Sequence, residues 1–154
     1  MLAAHPPAIL AAEDASVLHT ILDDPLVSHR IRSTIRRKLT EAHAVTTEVP
    51  GDVVTINSRI SFRLGDGVPI SAFLVDLVHP LRAFQGIIPL RSEIGLSLLG
   101  LREGNCAILD LRKVPAVLVL KRVLHQPQRQ IQAIFGPTDS RASGAISKAY
   151  PPIS

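Results

Sequence analysis

From Val53 to Leu64 the chain reads VVTINSRISFRL, and its polarity alternates with a period of two. Val54, Ile56, Ser58, Ile60, Phe62 and Leu64 occupy one parity. Thr55, Asn57, Arg59, Ser61 and Arg63 occupy the other. Alternation of this kind places successive side chains on opposite sides of a pleated backbone, so the stretch is expected to form a half-buried β-strand. An Asn-Ser pair in its middle is unusual for a strand. A cross-strand hydrogen bond or a bulge is the expected reason, which gives Asn57 and Ser58 a structural role.

The elements around this strand follow from periodicity and punctuation. Upstream, residues 14–22 (DASVLHTIL) place Val17, Leu18, Ile21 and Leu22 at helical spacing, with Asp14 or Ser16 as the expected N-cap. Asp23-Asp24-Pro25 ends that pattern. A second run repeats Val27, Ile31, Ile35, Leu39 and Ala42 as an apolar stripe. Arg30, Arg32, Arg36, Arg37 and Lys38 fall on its other faces. Two helices so closely joined predict an antiparallel hairpin. An arm of about 15 residues reaches only about 22 Å.

Downstream, Gly65-Asp66-Gly67 is a turn that leads into a second strand over 68–80, with Pro69 near an edge or bulge. Ser92 to Gly100 reads as one or two helical turns, capped by Ser92 and closed by Gly100. CAILDL and AVLVLKRVLHQ read as the last two strands. The fold class predicted is α+β: a short N-terminal helical hairpin over 8–46, then an antiparallel sheet domain with one short helix over 50–129. Residues 130–154, rich in Ser, Gly, Ala and Pro, are expected to form a mobile tail.

Composition narrows the function classes. One cysteine, Cys106, excludes an internal disulfide framework and a cysteine-based zinc site. The six histidines show no tight ligand spacing. No phosphate-cradling glycine loop or nucleophile elbow is present. Neither a metal nor another cofactor is expected. No apolar run approaches the roughly 20 residues that span a bilayer, and the start of the chain lacks the basic region of a signal peptide, so a cytoplasmic protein is expected. The net charge is +4, and residues 51–130 carry ten basic against six acidic side chains. The surplus is modest and no aromatic stacking platform accompanies it, so direct nucleic-acid binding is not expected.

The order of the signals resembles two related families, the regulator of nucleoside diphosphate kinase (Rnk) and the Gre transcript-cleavage factors. Pro50, Asp52 to Ser58, Phe62 and Arg63 fit a P-x-DVVTMNSxVxFR segment that opens their FKBP-like domain, with Ile56 for its methionine. Gly95, Leu98 to Arg102 and Gly104 fit an SPxGxALLGLxxGD segment. Val123, Leu124, Gln126 and Pro127 fit a closing VLEVxYQP segment. The likeness spans about residues 8–128, and the short arm resembles Rnk more than the Gre factors. It departs from the pattern at Glu93, where the family has proline, and at Asn105, where it has aspartate.

This resemblance implies a non-catalytic modulator that binds RNA polymerase near its secondary channel. Ser92, Glu93 and Gly95 occupy the loop through which the family contacts polymerase. Arg59 and Arg63, on the polar parity of the first strand, are expected to meet acidic residues of the partner. Asp23 and Asp24, at the arm tip, are the residue type that helps hold a magnesium ion in the polymerase of the Gre factors. Two alternatives stand beside this one. The chain could regulate another cytoplasmic enzyme, such as nucleoside diphosphate kinase. Peptidyl-prolyl isomerisation is less well supported: its pocket is usually lined with aromatics, and the chain has four Phe, one Tyr and no Trp.

Overall fold

A computed structural model of the protein describes residues 8–42, 44–76, 86–111 and 114–127. The expected tail, residues 77–80 of the expected second strand and part of the loop after it lie outside the described residues. The described residues begin with β1 (Ile9–Ala11) and the helices α1 (Ala12–Leu22) and α2 (His29–Glu41). The strands β2 (Ala44–Thr46), β3 (Arg59–Leu64), β4 (Ile70–Val75) and β5 (Ile87–Pro89) follow. Then come α3 (Glu93–Leu98), β6 (Cys106–Leu111) and β7 (Val114–His125). The α+β class is as expected.

The hairpin is tied at its base by a feature the sequence did not signal. β1 pairs in parallel with β2, Ile9 opposite Ala44 and Ala11 opposite Thr46. The chain therefore leaves on α1 and returns on α2 to the place where it started, which makes the helices antiparallel. Ser28 caps α2, its Oγ accepting from Ile31 N at 3.2 Å. α1 starts at Ala12 and has no side-chain cap. Neither Asp14 nor Ser16 is an N-cap. Asp14 instead lies in the first turn, where an acid suits the helix dipole, and points its carboxylate elsewhere.

Five strands form one sheet in the order β5-β4-β3-β7-β6. Every pairing is antiparallel except β4 with β5, which is parallel. The sheet is thus mixed rather than wholly antiparallel, because β5 runs in the direction of β4 along its edge. Ile60 and Phe62 of β3, Ala72 and Leu74 of β4, Leu109 of β6, and Leu118 and Leu120 of β7 are buried on one face. They form a single apolar cluster with Leu18 and Ile21 of α1, Ile35 of α2, and Leu96 and Leu98 of α3. Burial of this aliphatic surface is the main driving force for the fold.

The alternating stretch is only half a strand. β3 begins at Arg59, and before it the chain makes a turn in which Ser58 N donates to Thr55 O at 3.0 Å. Asn57 has φ of 72°, a left-handed conformation that asparagine tolerates better than most residues. Ser58 is fully buried; its Oγ accepts from Thr55 N at 2.9 Å and lies 2.8 Å from Thr55 Oγ1. Asn57 N donates to Leu74 O at 2.6 Å, anchoring the turn to β4. The Asn-Ser pair therefore builds a turn, and Thr55 is buried despite its polar parity. Asn57→Val should cost about 1–2 kcal/mol in chemical denaturation while Asn57→Gly stays within about 0.5 kcal/mol of wild type. Equal effects would remove the left-handed φ as the reason for the asparagine.

Candidate functional site

The helical arm does not stand free, and its tip is clasped to the sheet. Asp24 Oδ1 accepts from Leu26 N at 2.9 Å, and Asp24 Oδ2 pairs with Arg91 at 2.9 Å. The same guanidinium pairs with Asp76, just after β4, at 2.9 Å. The Leu26 N–H, and then Arg91, hold the Asp24 carboxyl below the usual carboxylate range. Arg32 of α2 braces the connector from inside by donating to the carbonyls of Leu22 and Asp24. It is thus a structural donor rather than a solvated charge. Asp23 beside it is exposed. The two tip acids are adjacent in sequence but differ in employment: one is engaged and one faces solvent.

A second bridge joins the start of α2 to the start of α3. Arg30 Nε pairs with Glu93 Oε1, and Arg30 Nη2 donates to the backbone oxygen of Asp110 on β6 at 2.9 Å. Glu93, where the resembled families have proline, thus ties the arm to the loop expected to face the partner. Its partner Arg30 is well exposed, so the energetic value of the pair is small. Its effect is to fix which surface the loop presents.

Ser92 is the N-cap of α3, as expected. Its Oγ accepts from Gly95 N at 3.0 Å and donates to Pro89 O at 2.7 Å. Gly95 is buried, and a Cβ there would lie 2.1 Å from Pro89 O and 3.0 Å from Leu90 O. The structure gives Gly95 a packing role: α3 rests directly on the end of β5, while Ser92 and Glu93 stay half-exposed.

Arg59 and Arg63 share the face of the sheet opposite the helices. Arg59 is exposed and lies over the Phe73 ring, 6.0 Å from its centroid. Phe73 is itself 41% exposed, so the pair presents a flat, cationic and apolar patch. Arg63 is half-buried, and its Nε is buried with no hydrogen-bond partner. It is less a surface charge than its parity suggested. β7 adds exposed Lys121 and Arg122 near this face.

Two further titratable groups escaped the sequence reading. Asp14 is buried, and its Oδ2 accepts from Ile56 N at 3.1 Å, joining α1 to the Asn57 turn. Burial pushes its carboxyl up to about 6, against the lowering effect of the Ile56 hydrogen bond. Lys38, placed above on a face of α2 other than its apolar stripe, is half-buried and lines a cavity. Spacing could have found both: Asp14 precedes Leu18 and Ile21 by four and seven residues, and Lys38 follows Ile35 by three.

Among the described residues no group of three or more histidine, cysteine or acidic side chains could hold a metal ion. No helix among them is long and apolar enough to cross a membrane. No family model matches the sequence, and no curated protein matches it. Solved structures do. The transcription elongation factor GreA/GreB from Nitrosomonas europaea aligns over 78% of this chain and 99% of its own, with 24% identity and a TM-score of 0.59. GreA factor homolog 1 (Gfh1) of Thermus thermophilus aligns over 78% of this chain and 100% of its own, with 18% identity and a TM-score of 0.38. By the first of these likenesses, this chain carries the fold of a Gre-type transcription elongation factor.

Proposed function

We propose that the protein is a non-catalytic modulator of transcription that docks on RNA polymerase near its secondary channel. The observation that carries this reading is the fold shared with the GreA/GreB elongation factor over nearly the whole of that factor's solved chain. The patch of Arg59 and Phe73 on the open face of the sheet and, separately, the half-exposed Ser92 and Glu93 on the helix side would be the docking contacts. An exposed guanidinium over an aromatic ring suits an acidic, partly apolar protein surface.

The arm geometry supports a particular mode. Helices of 11 and 13 residues are about 17 and 20 Å long. The Asp24 carboxylate is already committed to Arg91 and Leu26, and leaves Asp23 as the only tip acid facing solvent. A single short-armed carboxylate is a poor match for a hard cation that wants several oxygens. The protein would therefore occupy the polymerase and exclude other factors, without promoting transcript cleavage.

Fluorescently labelled protein should bind core RNA polymerase with micromolar or better affinity at low salt, and an unlabelled Gre factor should displace it. Arg59→Glu should weaken binding at least tenfold with an unchanged melting temperature. Absence of binding at micromolar concentration would end the proposal and return attention to another cytoplasmic enzyme as the target.

A further inference from the structure

Lys38 stands on the inner side of α2, one turn on from Ile35, whose side chain is fully buried. It opens into a cavity of about 100 Å³ between α2, α3 and β6. Leu96 and Ser97 of α3 and Ala107 and Ile108 of β6 form one side, and Arg37 and Glu41 stand beside the lysine on α2. Among the described residues the Lys38 side chain makes no hydrogen bond and no ion pair within 4 Å, and its Nζ keeps some contact with solvent. Partial burial of an ammonium is costly, and Glu41, three residues on, offsets that cost only in part.

We propose that Lys38 is an acyl-acceptor site: its Nζ takes the acyl group of a small acyl phosphate, whose phosphate rests on the Arg37 guanidinium. The neutral amine attacks the carbonyl carbon. A C–N bond forms and the C–O bond to phosphate breaks. Inorganic phosphate leaves with the bonding pair, and the surplus amine proton passes to solvent. The product is an amide, and no oxidant or reductant is consumed.

The surroundings favour this chemistry. Burial first, and the Arg37 charge second, pull the ammonium down to about 8, while Glu41 acts in the opposite sense. α3, β6 and the rest of the lining contribute no titrating side chain. At pH 7.5 roughly a quarter of such an amine is neutral, against about one part in a thousand for an amine at 10.5. The cavity has room for about three water volumes, enough for an acetyl or propionyl group and too little for a long acyl chain. Arg37 is exposed, so a doubly charged phosphate can reach it from solvent. Acylation would remove a partly buried charge from the inner side of α2.

The test is to incubate the full-length protein with acetyl phosphate at pH 7.5 and map acetylation by peptide mass spectrometry. Lys38 should react at least tenfold faster than exposed Lys121, and its rate should saturate with acetyl phosphate. Arg37→Gln should abolish saturation while acetic anhydride, which has no phosphate, still prefers Lys38. Between pH 6 and 10 the Lys38 rate should level off above about pH 8. Lys38→Arg, folded by its melting curve, should lose the fast phase. Equal rates at Lys38 and Lys121 would overturn the proposal, and so would saturation that survives Arg37→Gln.

Discussion

Gly95→Ala should lower the melting temperature by at least about 8 °C, a loss of at least about 3 kcal/mol. The atom that an alanine Cβ would strike, at 2.1 Å, is the backbone oxygen of Pro89. A flexible side chain could swing aside, but this oxygen is fixed where Ser92 Oγ donates to it. The neighbouring Leu90 backbone is 3.0 Å away and Leu90 itself is fully buried, so α3 can relieve the clash only by lifting off β5. That movement would disturb Leu96 and Leu98 in the core. The result also separates two roles for this glycine. If Gly95 were a contact residue on an open surface, the variant would melt normally and lose polymerase binding. A melt within about 2 °C of wild type would sink the packing account.

Asp14→Asn should make stability less sensitive to pH, by about 2 kcal/mol between pH 4 and 7. The folded protein holds the Asp14 proton up to about pH 6, whereas the unfolded chain releases it near 3.8. A raised carboxyl of this kind contributes its full stability below pH 3.8. That contribution is lost as pH rises through the window to about 6, because ionisation then works against burial. Each unit of displacement corresponds to about 1.4 kcal/mol. The asparagine side-chain oxygen can still accept from Ile56 N, so the turn at Asn57 is kept. The variant should match wild type near pH 4 and be the more stable of the two near pH 7, measured by urea midpoints at both pH values. The difference between the two proteins cancels carboxylates such as Asp24, whose displacement has the opposite sign. An equal stability difference at both pH values would mean that Asp14 is not a buried, reluctantly ionised acid.

Much of the chain was legible because local rules and the tertiary structure agree. Ser92 was a visible cap, since an N-cap needs only a hydroxyl and a free N–H three residues on. The two arm helices, the α+β class and the parity of Ile60 and Phe62 followed from apolar spacing, which records the face a residue buries. The reading failed where that spacing was shared by two different backbones. Residues 53–58 alternate like a strand, yet Asn57 breaks the extended path and Val53, Val54 and Thr55 are all buried. A period of two over six residues cannot distinguish a strand from a turn whose side chains are buried without regard to parity.

The sequence by itself determined the three helices and the four longer strands of the sheet, with the faces that their apolar residues bury, because helix and strand periods and turn residues act over a few positions. It determined that Asn57 and Ser58 would be structural. Only the tertiary structure decided which distant groups meet. The Asp24–Arg91–Asp76 clasp joins residues up to 67 positions apart, and Arg30 reaches Glu93 across 63. A carboxylate at an arm tip reads the same in sequence whether it is free for a cation or bound to an arginine. Its chemistry is set by Coulomb and hydrogen-bond terms that fall off over a few ångströms, and those distances exist only after the chain has closed on its core.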